Sequence, residues 1–165
     1  MEQKSIENTL KTNIIKFYSR GTKHGEFSNL FLVDIWFEDR WWKSSEHCYQ
    51  YHKFKEEYND IAEWIITAPR PSTLAIAAHG FSKYSKYIKS NWKDINVSLM
   101  RKIVLAKFSQ HDDLAKKLLE TGDATLIEDS PYDSFWGIGA KGTGVNMLGK
   151  ILMETREILR KEGKE

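Results

Sequence analysis

The seventeen residues from Asp133 to Gly149, DSFWGIGAKGTGVNMLG, constrain the fold more than any other stretch of this chain. Five glycines, an acid, a tryptophan and an asparagine stand directly before a periodic segment. Fixing a glycine costs backbone entropy, so several together signal positive φ angles or a ligand lying close against the backbone. From Met147 to Arg160, apolar residues recur at Leu148, Ile151, Leu152, Ile158 and Leu159. That spacing predicts an amphipathic helix. A glycine-rich loop feeding a helix start offers free N–H groups and a partial positive charge, which suits an anion such as phosphate. A tight connection without a ligand is the competing explanation. Gly137, Gly139 and Gly142 also spell GxGxxG, but a dinucleotide-binding fold needs a strand on both sides and an acid about 20 residues on. Here one helix follows and the sequence ends, so a Rossmann fold is excluded.

With 165 residues the chain reads as a single domain able to bury about two thirds of its unfolded surface. Its formal charge of +2 argues against an obligate, sequence-independent grip on long nucleic acid, while leaving room for a local basic cleft. The single cysteine, Cys48, rules out an internal disulfide and fits a reducing compartment. No apolar run approaches the roughly 20 residues that span a bilayer, and MEQKSIENTLK lacks the apolar core of a secretory signal. A cytoplasmic protein without membrane contact is expected. Six tryptophans exceed what core packing alone requires, leaving one or two as stacking platforms for a flat ligand.

The element pattern predicts a helix-rich α+β domain with a small sheet. Strands are expected over 13–18 and 31–37, where β-branched and aromatic residues cluster, and over 124–127. Ser44 caps a helix running to about Glu57, and 61–67 forms a short one ended by Pro69 and Pro71. Ser72 caps a helix that stops at Gly80, Asp94 opens a long one to about Ser109, and Asp112 opens one ended by Gly122.

Within the Ser44 helix, Glu46, Gln50 and Lys53 fall within about 60° of one another, forming one polar stripe. Such a stripe is either a solvated face or a carboxylate, an amide and an amine aimed at one ligand. His47 and His52 are five residues apart, whereas metal ligands on a helix pair at i+3 or i+4, so no metal site is expected. No GxSxG elbow and no Cys–His spacing is present. The candidate acids are Glu46, Asp94, Glu128, Asp129 and Asp133; Asp94 has a ready role as a helix cap and Asp129 as a turn residue.

In order and spacing these segments resemble the NADAR (YbiA-like) family. The residues that carry the resemblance are Phe17-Tyr18-Ser19, Glu26-Phe27-Ser28-Asn29-Leu30-Phe31, Trp42 to Gln50, and Lys53-Phe54. The pattern resumes at Trp92, Met100, Lys107-Phe108, Thr121-Gly122-Asp123, Leu126-Ile127-Glu128, Asp133, Trp136-Gly137-Ile138-Gly139 and Gly144 to Met153. Leu30 and Cys48 depart from the family's usual aromatics without touching the polar positions. The resemblance spans about 14–160 and implies a compact α+β N-glycosidase that uses no cofactor.

Family members are associated with cleaving the C–N bond of phosphorylated ribosyl-pyrimidine intermediates of riboflavin biosynthesis. Others look like hydrolases that remove ADP-ribose from guanine, so ADP-ribosylated nucleic acid is a further candidate substrate. A non-catalytic ADP-ribose-binding module would keep the glycines and Trp136 but would not need Glu46 and Lys53 on one face. For the enzyme, the expected roles are Lys53 as nucleophile, Glu46 as acid/base and Asp133 supporting the sugar C1. Gln50 and Asn146 would hold ribose hydroxyls, Trp92 or Trp136 would stack on the base, and Ser28 and Asn29 would also bind substrate. Gly137, Gly139 and Gly144 would admit phosphate to the backbone.

Overall fold

A computed structural model describes residues 13–19 and 21–163; the N-terminal stretch read for a secretory signal lies outside them. Strand β1, Ile14–Phe17, turns Phe17 into the core and pairs in parallel with β4, Thr125–Glu128, in the register Ile14↔Thr125 to Phe17↔Glu128. Parallel neighbours require a crossover, and here nearly the whole domain lies between them. A second pair, β2 (Ile35–Phe37) and β3 (Arg40–Trp42), is antiparallel.

The strand expected over 31–37 is confined to its last three residues, and the chain then doubles back. Glu38 and Asp39 both have positive φ, 48° and 58°, the backbone of a tight two-residue hairpin turn. Such turns ordinarily advertise themselves with Asn-Gly or Asp-Gly, which this chain lacks. Arg40 anchors the hairpin by a bidentate pair with Glu63, at 2.5 and 2.9 Å.

Helix α1, Ser45–Lys53, starts where expected: the Ser44 hydroxyl accepts from the His47 N–H at 3.2 Å. It stops four residues short of Glu57. Phe54 turns extended and bridges Ile88, with Lys55 N–H donating to the Tyr87 carbonyl (2.9 Å) and Lys89 N–H to that of Lys53 (3.1 Å). Helices α2 (Asn59–Ile66) and α3 (Pro71–Ser82) follow. Pro71 occupies the first turn of α3, so Ser72 lies inside the helix and does not cap it; a missing N–H is harmless there. Phe54, Ala62, Ile65, Leu74 and Ala78 form a small apolar cluster beneath these helices.

Helix α4, Trp92–Gln110, starts two residues before Asp94, and α5 covers Asp112–Glu120. Helix α6, Met147–Lys161, packs Leu148, Ile151, Leu152 and Leu159 into the main core with Phe17, Phe108 and Leu126. It meets β4 very closely, for a Cβ on Gly149 would collide with the Leu126 carbonyl. The result is one helix-dominated α+β domain with two small two-stranded sheets. No helix among the described residues is long and apolar enough to cross a membrane.

Candidate active site

The first turns of α1 are held by their surroundings before any ligand arrives. Glu46 N–H donates to the Asn29 carbonyl at 3.1 Å, and the buried Lys107 ammonium donates to the carbonyls of Glu26 (2.7 Å) and Ser28 (3.0 Å). The Ser28–Asn29 segment is thereby pinned between α1 and α4. Beside it opens a cavity of about 710 Å³, walled by α1, α3, the end of β4 and the loop after it. That volume lies in the range of small-molecule sites.

The polar stripe of α1 faces this cavity. Glu46, Gln50 and Lys53 all line it, with Ser28, Asn29, Asp133 and Trp136. Gln50 is 8% exposed; its amide donates to Glu46 Oε1 at 2.8 Å while its own Oε1 has no protein partner. A buried acceptor left open costs free energy unless a ligand hydroxyl or N–H fills it. Burial holds the Glu46 carboxyl above its usual range and Asp133 adds to this, while Gln50 and Lys53 pull it down. Burial also lowers the Lys53 ammonium, against the opposing pull of Glu46. Cys48 lies on the other side of the helix, where burial pushes its thiol up and makes it a poor nucleophile.

One acid of the site has no place on that stripe. Glu128, the last residue of β4, lines the same cavity, and its carboxyl is pushed up to about 8 by burial, then by Asp133 and Glu46. Its Oε2 is buried without a partner. Strand alternation was the signal for it, because residues two apart share a face and Leu126 is fully buried. Burial and the neighbouring carboxylates both favour the protonated form of Glu128 at neutral pH. Tyr18, Ser72, His79, Ser130 and Tyr132 also line the cavity and were not anticipated.

Asp133 lies at the entrance of the glycine-rich loop and spends Oδ1 on its shape, accepting from Phe135 N–H (2.9 Å) and Trp136 N–H (2.7 Å). Several other anticipated residues do not line the cavity. Asn146, at φ 55°, accepts from Glu128 N–H and donates to the Leu126 carbonyl, both at 2.9 Å. It clamps α6 to β4 and is not among the residues that line the cavity. Trp92 is buried against Tyr49, with ring centroids 5.0 Å apart, so of the two tryptophans only Trp136 can meet a base. Gly137, Gly139 and Gly144 are packed within the loop itself. A Cβ on Gly144 would stand 2.6 Å from the carbonyls of both Gly137 and Ser134, and its N–H is spent on the Ile138 carbonyl at 2.7 Å, so it offers no free donor to a phosphate. Gly144→Ala is expected to destabilise the fold by about 2–3 kcal/mol, as forced overpacking does, which thermal unfolding would register.

Trp136 serves both cavity and core, with its ring set edge-on to Tyr49 at 5.5 Å. Trp136→Ala should weaken substrate binding by about 1–3 kcal/mol, the value of one lost base stack. It should also lower the melting temperature; unchanged KM in a folded variant would remove Trp136 from substrate contact. Among the described residues no group of three His, Cys, Asp or Glu side chains is placed to hold a metal ion.

Residues 16–160 match the NADAR domain. The chain is 37% identical over 154 residues to the N-glycosidase YbiA of Escherichia coli, covering 93% of each. It superposes on the NMR structure of that protein with a TM-score of 0.79, over 97% of this chain and 92% of the other. A riboflavin biosynthesis protein of Vibrio vulnificus is 37% identical over 155 residues, 94% of this chain but 41% of that longer one. With the match running from β1 to the end of α6 and the fold shared along the same length, this chain belongs to the NADAR domain family.

Proposed function

We propose that this protein is an N-glycosidase that cleaves the C–N bond between a phosphorylated ribose and a pyrimidine-type base, as in the early intermediates of riboflavin biosynthesis. One observation carries the reading: the Glu128 carboxyl, pushed up to about 8, a second carboxyl at Glu46 and a partly buried amine at Lys53 share one cavity. Breaking an N-glycosidic bond needs a proton for the departing nitrogen and an electron pair for the oxocarbenium-like C1. Glu128 donates the proton. Lys53, in its neutral form, attacks C1 as the C–N bond breaks and gives its surplus proton to Glu46. Ring opening moves the remaining N–H proton to the ring oxygen and leaves an imine between Lys53 and the sugar; water hydrolyses it to free amine and free sugar, and the proton held by Glu46 returns to Glu128 through solvent. The sum is glycoside plus water giving base plus sugar, with no cofactor.

Gln50 Oε1 accepts a ribose hydroxyl and Trp136 stacks on the base. The names of the relatives support the reaction class, and the second relative's name supports the riboflavin-type substrate. A second reading, release of ADP-ribose from guanine, draws on Tyr132, which is 90% exposed yet lines the cavity, so its ring can meet a longer ligand. Incubation with phosphoribosyl-pyrimidine and ADP-ribosyl-guanine substrates, followed by assay of free base, separates the two. Base released from the first class is the expected result; release only from the second overturns the substrate, and release from neither overturns the reaction.

A further inference from the structure

The thirty residues from Trp64 to Lys93 contain Arg70, Lys83, Lys86, Lys89 and Lys93 and not one Asp or Glu, in a chain whose overall charge is only +2. Charge this segregated is a surface feature that the cavity chemistry does not use. Among the described residues, none of these five cations makes an ion pair. Lys83, Lys86 and Lys93 are exposed, and tyrosines are interleaved with them. Tyr84 is 59% exposed and its ring rests edge-on against Tyr87 at 6.1 Å, while Lys86 lies over the Tyr87 ring at 4.7 Å. The opposing charges nearest the strip are Asp94, exposed directly after Lys93, and Glu56 and Glu57, exposed in the neighbouring turn.

This strip is built onto the site. It follows α3, whose Ser72 and His79 line the cavity, and its backbone is bonded to Lys53 and Lys55. We infer that the Lys83–Lys93 strip is a contact surface for single-stranded nucleic acid, with the lysines on phosphates and Tyr84 stacked on a base. Alternating cations and rings suit that ligand because every base has a π-face and every linkage a charge. An anionic membrane fits less well, since it needs an apolar face to insert, and within the strip Tyr87 and Ile88 are packed against the apolar cluster below while Trp92 is buried. The inference does not depend on the glycosidase reading, because strand binding is measured without turnover.

The test is fluorescence anisotropy with labelled oligothymidylate of about 20 nucleotides, longer than a typical single-fold footprint, across a salt series. Binding should fall steeply with salt. In Lys83→Gln/Lys86→Gln/Lys93→Gln the slope of log K against log salt should flatten by about 2, since each single-strand phosphate contact contributes about 0.7. Tyr84→Ala should weaken binding about fivefold or more, as loss of one stack does, with melting unchanged. Absence of binding overturns the proposal, as does binding that both variants leave intact. Equal affinity for polyglutamate or phosphatidylserine vesicles, indifferent to Tyr84, reduces the strip to a charged face and also overturns it.

Discussion

Glu128→Gln is expected to lower kcat/KM by about 10²–10⁴-fold and to abolish the alkaline limb of the pH profile, because the amide fills the same space but has no proton to give. In the wild type that limb should lie at about pH 8, where the buried carboxyl loses its proton. Stability should follow the same group with a definite sign. An unfolded glutamate ionises near pH 4.3, whereas folded Glu128 keeps its proton to about 8. Between those values the folded state binds the extra proton, so stability falls as pH rises through the window and is highest below it. Glu128→Gln should flatten this slope while leaving the fold intact. A variant that keeps the wild-type alkaline limb would pass the proton-donor role to Glu46, whose carboxyl is raised by the same burial.

Local chemistry made much of the fold legible. Ser44 was readable as a cap because a hydroxyl ahead of a helix can take the orphan N–H of His47. The stripe through Glu46, Gln50 and Lys53 was readable because 100° per residue puts them on one side whatever lies opposite. What escaped was set at long range. Helix α1 ends at Lys53 because Phe54 has a partner at Ile88, thirty-four residues away, and no local signal records that bridge. The hairpin at Glu38–Asp39 adopts left-handed backbone without glycine, so its turn is invisible to composition.

The glycine-rich loop carries a broader lesson. Its glycines were read as marks of positive φ or of a ligand against the backbone, but what approaches is the protein's own backbone: Gly137 against Glu128 and Asp133, Gly144 against Gly137 and Ser134. A sequence cannot separate room for a ligand from room for a neighbouring carbonyl. Yet the loop still shapes the cavity indirectly. Ile138 N–H donates to the Glu128 carbonyl at 3.0 Å and Asn146 Oδ1 accepts from the Glu128 N–H, so the loop and the start of α6 hold the backbone of an acid that burial pushes up to about 8. Asn146 and the glycines thus act at the site by holding other residues, a role that residue type alone does not reveal.

Borohydride added during turnover should leave the mass of a reduced sugar on the peptide that contains Lys53, and Lys53→Arg should lose activity by about 10⁴-fold or more. The two results together distinguish a nucleophile from an electrostatic clamp. Arginine keeps the charge and much of the reach, but its guanidinium does not deprotonate in proteins and so forms no imine. A lysine in water is almost fully protonated at neutral pH; burial of Lys53 lowers its ammonium and raises the neutral fraction, while Glu46 works against this as a carboxylate and less so once protonated. Raising pH should therefore increase trapping until Glu128 loses its proton near 8, after which bond cleavage and adduct should decline together. The rise and the fall belong to different residues, so the small amount of adduct that Glu128→Gln still forms should show the rise without the fall. Substantial activity in Lys53→Arg without an adduct would overturn the covalent route and leave water as the nucleophile, with Glu46 as its base.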